Sequence, residues 1–132
     1  MYRGTLITVH GETDGSSTTG DFDLYCEWFE SAVDYIRVDK GIVAKIWSIE
    51  VSKKPVTVIV KFTHDVTATT PTWVELKHVH LAAEGNLDED KRKPILTVTG
   101  KNGTEAIRLS WEQDTAAESH VTALIEFAPA NQ

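Results

Sequence analysis

The chain has 132 residues, and 13 Lys and Arg against 20 Asp and Glu give it a formal net charge of −7. Hydrophobic residues at 41% and charged residues at 25% exclude a mainly disordered chain, and a single cysteine excludes a disulfide scaffold. The acidic balance also argues against a general phosphate-binding surface, so no nucleic-acid partner is expected.

The length suits one β-rich domain spanning residues 1–132. The first ten residues, Met1 to His10, contain no apolar run of signal-peptide length, and no stretch approaches the roughly 20 apolar residues that span a bilayer. No membrane partner is expected. Thr5 to His10 reads as a first strand. Gly11 to Gly20 is polar, small and free of large apolar residues, which predicts an exposed, mobile loop. From residue 23 to residue 36, Leu24, Tyr25, Trp28, Phe29, Ala32, Val33 and Ile36 recur at helical spacing, with Asp21 or Asp23 available as a cap. Strict alternation runs only from Phe22 to Trp28 and fails at Glu30, so a short helix over residues 23–36 is preferred to a bulged strand.

Strand signals dominate the remainder. Ile42 to Val51 is rich in β-branched residues and ends at Lys53-Lys54-Pro55. In the next run Val56, Val58, Val60 and Phe62 share one face, with Thr57, Ile59 and Lys61 on the other. Trp73 to Leu81 alternates again. Ala82 to Lys93 reads as a charged surface turn. Ile95 to Thr99 and Ala106 to Trp111 flank Gly100-Lys101-Asn102-Gly103, whose Asn-Gly pair tolerates positive φ and predicts a hairpin. A last strand runs from Val121 to Phe127, with Pro129 beyond it. Short strands between turn signals predict a mainly β fold: an antiparallel sandwich, jelly-roll-like, or a small barrel, with one helix laid across it.

Few residues carry a chemical signal. His78 and His80 lie two apart on a strand and share a face, a spacing that supplies two ligands to zinc. A third would have to come from His10, His64, His120 or a carboxylate such as Asp65, and the preferred reading is a pair of partly exposed histidines with no metal. Asn86, Asp88 and Asp90 have the spacing that opens a calcium loop, but Lys91 stands where glycine is needed and Thr97 where glutamate is needed. Asp14, Asp21, Asp23, Glu27 and Glu30 read as a solvated acidic face. Cys26 lies among apolar residues and reads as an inert thiol. No nucleophile elbow, zinc-protease helix, phosphate loop or dinucleotide fingerprint is present, so no cofactor is expected and an enzyme is disfavoured. Of the four tryptophans, Trp28, Trp47 and Trp111 read as core or contact residues, and Trp73, after Pro71-Thr72, as the exposed one.

These features favour a structural or assembly protein: a small domain that oligomerises and docks on a larger capsid-like shell in the virion, by analogy with capsid decoration proteins. Val56, Val58, Val60, Phe62 and Trp73 are its candidate interface residues, on the expectation that Val56 to Phe62 forms a sheet edge. The short basic runs Lys53-Lys54 and Lys91 to Lys93 could meet acidic patches on a neighbouring copy. The alternatives are a carbohydrate-binding module that stacks sugars on Trp73, and a small cupin-like metalloenzyme using His78 and His80. A cytoplasmic location is the alternative to the virion.

Overall fold

The computed structural model describes residues 4–81, 87–89 and 93–130. Its elements are ten strands: β1 (Thr5–Glu12), β2 (Thr19–Asp21), β3 (Ile36–Val38), β4 (Ile42–Ser52), β5 (Val56–Thr63), β6 (Val74–Leu81), β7 (Leu87–Glu89), β8 (Leu96–Thr99), β9 (Glu105–Glu112) and β10 (His120–Pro129). They form two antiparallel five-stranded sheets. Sheet A runs β1-β10-β4, with β7 and β8 end to end along the far edge of β4. Sheet B runs β9-β5-β6, with β2 and β3 end to end along the free edge of β9. Both sheets are open, so the fold is a sandwich and not a closed barrel.

Alternation builds the core. Ile7 and Val9 of β1, Val56, Val58 and Val60 of β5, Ile107, Leu109 and Trp111 of β9, and Val121, Ala123 and Ile125 of β10 all point between the sheets and are buried. Most of these side chains are Val or Ile, whose branched Cβ suits the pleated inner faces, and their removal from water drives the two layers together. The turn from β4 to β5 places Lys53 at a φ of 86°, and Ser119 holds that turn with a hydroxyl 2.9 and 2.7 Å from the carbonyl oxygens of Ser52 and Lys54.

Several expectations are corrected. Among the described residues there is no helix, and none is long and apolar enough to cross a membrane. Residues 23–36 instead leave β2, pair with the outer edge of β1 through a His10–Tyr25 bridge, fold back through a Leu24–Val33 bridge and enter β3. At the bridges the backbone groups pair as in a sheet: Tyr25 and His10 exchange bonds of 2.9 and 3.0 Å, and Leu24 and Val33 exchange bonds of 2.7 and 2.8 Å, so Leu24, Tyr25 and Val33 bond across to other segments and not along a helix. Phe22 and Leu24 follow the strand period and plug the sandwich on that side, at 0% and 2% exposure.

The predicted hairpin around Gly100 to Gly103 does not form. β8 pairs with β4 in sheet A, whereas β9 pairs with β5 in sheet B, so the loop steps between the layers. Gly103 does take the positive φ of 80° expected of it. Gly100 is required for a different reason: a Cβ there would stand 2.1 Å from the Asp39 carbonyl oxygen. The loop expected over Gly11 to Gly20 is shorter: β1 extends to Glu12, Thr13 is buried, residues 14–18 loop out, and β2 begins at Thr19. The predicted charged turn contains β7, which pairs with β4. The Asn86–Asp90 calcium pattern and the basic run from Lys91 fall largely outside the described residues.

Candidate functional site

Among the described residues the outer strand of sheet B next to β5 is β6, which pairs on one side only; β5 itself is not an edge. β5 lies between β9 and β6 and has no free backbone edge, and Val56, Val58 and Val60 are buried in the core. The expectation that Val56 to Phe62 offers an edge is therefore corrected, because a strand paired on both sides has no hydrogen-bonding groups to share. Only Phe62 remains near the surface, half-buried at the end of the sandwich.

There the two sheets part. A cavity of about 440 Å³ opens between β6 and β8, lined among others by Phe62, His64, Val74, Leu76, Val98 and Glu105. Val74 and Leu76 are 48% and 42% exposed, large apolar side chains at the rim of an apolar opening. The ladder between β5 and β6 slips at Val60 and Lys61, leaving Leu76 as the extra residue of a bulge. The bulge turns Leu76 out of the regular pattern. His64 stands edge-on to Phe62 at 4.8 Å and forms one wall.

The floor of this opening is set by Glu105, which is 2% exposed. Its carboxylate accepts the backbone N–H groups of Lys101 (2.9 Å), Asn102 (3.1 and 3.2 Å) and Gly103 (3.1 Å). Burial pushes the carboxyl up, but these N–H groups and its own outweigh burial and hold it below the usual glutamate range. Sequence reading missed Glu105. The only local hint is an acid two residues after an Asn-Gly pair, where it can accept the turn's free donors.

The outer face of sheet B is ionic. Arg108 lies 3.8 Å from Asp21 and 3.8 Å from Asp34, and Lys61 lies 3.9 Å from Asp21. Trp73, expected to be the exposed ring, is half-buried: the Arg108 guanidinium sits 4.2 Å from its centroid and Tyr35 at 6.3 Å. His78 and His80 do share the outer face of β6, with ring centroids 6.5 Å apart. Each is engaged locally, His78 with Glu75 at 2.9 Å and His80 with Thr57 at 2.8 Å. No group of three or more His, Cys, Asp or Glu side chains able to hold a metal occurs among the described residues. Asp65 caps its own turn at the Thr67 N–H, and Asp14 accepts the N–H groups of Ser17 and Ser16, which hold its carboxyl below the usual range.

The outer face of sheet A carries the other histidines. His10 and His120 meet at 3.0 Å across β1 and β10, beside Thr122 and Glu12. Tyr25 donates its hydroxyl to Glu12 and stacks on His10 at 5.5 Å; the bond to Glu12 pushes the phenol up. Next to this cluster Trp28, assigned by periodicity to a helix's apolar face, is instead 68% exposed. It lines a shallow cavity of about 290 Å³ with Leu6, Thr8, His10 and Glu27. Cys26 is half-buried against the core.

No protein-family model matches the sequence, and no curated protein matches it. Among solved structures, a chain of the cyanophage Pam1 capsid asymmetric unit is similar at a TM-score of 0.40 and 15% identity, over 96% of this chain and 86% of that one. The likeness is distant and assigns no function.

Proposed function

We propose that the protein is a non-catalytic assembly module that associates with copies of itself and with a larger capsid-like shell in the virion, through the β6 edge and the apolar opening beside it. The observation that supports this is the pair Val74 and Leu76, exposed together at the rim of an opening backed by Phe62 and Val98. Single exposed apolar residues are ordinary, but a patch continuous with a core opening gains by being covered. The bulge at Leu76 makes that point a side-chain contact, while the regular stretch from Lys77 to Leu81 offers backbone groups for strand addition. A partner that binds only in the assembled state stabilises that state by mass action.

Light scattering across a concentration series tests the reading. The wild-type chain is expected to form a concentration-dependent oligomer. The Val74→Lys/Leu76→Lys variant should keep its circular dichroism and weaken association at least tenfold, about 1.4 kcal/mol. A wild-type chain that stays monomeric throughout, and does not co-sediment with a shell, would end the proposal.

A second reading, a carbohydrate-binding module, is favoured by the exposure of Trp28 beside Thr8, His10 and Glu27. An indole face with polar neighbours can stack on a sugar ring and orient its hydroxyls. On this reading oligosaccharides change the tryptophan fluorescence, and Trp28→Ala loses the response while Trp73→Ala keeps it. Silence toward every glycan tried removes the reading.

A further inference from the structure

We propose that His10 and His120 form a binding site for a divalent transition-metal ion, with zinc as its representative, on the outer face of sheet A. Antiparallel register creates the site: His10 lies opposite Thr122, and Glu12 lies opposite His120. All four side chains leave the sheet on the same side, because the alternating residues Val9, Val121 and Ala123 are buried in the core and the inner side of Gly11 faces Phe22. His10 Nδ1 and His120 Nε2 stand 3.0 Å apart, and Thr122 Oγ1 lies 3.2 Å from the first and 3.3 Å from the second. Two imidazole nitrogens and a hydroxyl oxygen thus form a nearly equilateral triangle of donors.

Tetrahedral ligation with metal–nitrogen distances of 2.0–2.1 Å separates two nitrogens by about 3.3 Å. The rings therefore need to part by only a few tenths of an ångström. Two nitrogens with one neutral oxygen suit zinc, nickel or copper, whereas calcium and magnesium prefer a shell of oxygens. Water would complete the coordination from the solvent side, where the His120 side chain is 32% exposed. With no metal, the ring-to-ring contact is a hydrogen bond in which one facing nitrogen carries the proton. With metal, both facing nitrogens present lone pairs, so His10 carries its proton on Nε2 and His120 on Nδ1.

The surroundings favour that second arrangement. His120 Nδ1 faces Glu12 Oε1 at 3.8 Å, and the Tyr25 hydroxyl donates to the same oxygen. At 3.8 Å the carboxylate is an ionic neighbour and not yet a hydrogen-bond partner, and a small rotation of the ring would let it accept the Nδ1–H and fix the ring's orientation. Tyr25 also stacks on the His10 ring with an interplanar angle of 29°. Both ligands stand on paired strands of one sheet, so little ordering remains to be done when the ion arrives. His78 and His80 lie on the outer face of the other sheet and belong to no such triangle.

Titrating the full chain, stripped with chelator, with zinc chloride at neutral pH tests this site. One ion per chain is expected. His10→Ala and His120→Ala should each lower affinity at least tenfold, Glu12→Gln by about tenfold, and His78→Ala/His80→Ala not at all. In the wild-type protein, which avoids any folding defect of the variants, zinc should shift the imidazole resonances of His10 and His120 and leave those of His64, His78 and His80 in place. No binding at millimolar zinc, or shifts confined to His78 and His80, would overturn the proposal.

Discussion

Phe22→Ala is expected to cost about 3–5 kcal/mol and to lower the melting temperature by roughly 10–20 °C. Phe22 is 0% exposed, its ring lies 5.1 Å from Trp111, and its backbone N–H donates to the Leu109 carbonyl at 2.9 Å. It also presses on β1 so closely that a Cβ at Gly11 would meet its ring at 2.8 Å. Truncation therefore leaves a cavity that the surrounding strands cannot fill without breaking ladders. Against a typical total stability of about 5–15 kcal/mol, the loss is large. Urea denaturation with an unchanged slope measures it, and Trp28→Ala, at a position 68% exposed, is the near-neutral comparison. A cost below about 1 kcal/mol would mean that Phe22 does not plug the sandwich.

Glu105→Gln is expected to destabilise the fold by about 2 kcal/mol at neutral pH, because it removes the charge from several charge-assisted bonds and turns an NH₂ group toward N–H donors. The effect has a definite pH signature. The carboxyl of Glu105 titrates lower in the folded chain than in the unfolded one, held down by the loop's N–H groups. Its contribution is therefore fully present above the unfolded value of about 4.3 and is lost as pH falls through the lower folded value. Melting curves of wild type and variant should differ most near neutral pH and converge below about pH 4. A gap that stayed constant down to pH 3 would show that the charge on Glu105 does not hold the loop.

The two variants probe places where local sequence signals misled in different ways. The alternation from Phe22 holds only as far as Leu24 and Tyr25, which bridge to neighbouring segments, and ends before the exposed Trp28, while the helical spacing that runs on to Ile36 corresponds to no helix. What decided the matter was the free edge of β1, which offered His10 as a backbone partner for Tyr25. The Asn-Gly pair at residues 102–103 marked a turn correctly and its consequence wrongly, since a turn sets chain direction and not which sheet receives the next strand. The β6 edge was misplaced onto β5 for a related reason: both runs alternate, and alternation does not say which strand is paired twice. Trp28 and Trp73 exchanged roles because Arg108, which covers Trp73, is 35 residues away by number and arrives only through β9 (108 − 73 = 35).

Composition, charge and side-chain period determined that this chain is an antiparallel β protein, where most of its long strands lie, and which faces of them are apolar. These are local properties, because a two-residue period and β-branched crowding act within one strand. Tertiary structure alone decided the sheet order, the outer position of β6, the loop gathered on Glu105 and the meeting of His10 with His120, which are 110 residues apart. Those features depend on which strands pair and in what register. Register is set by the global burial of one face of each sheet, not by any short stretch of sequence.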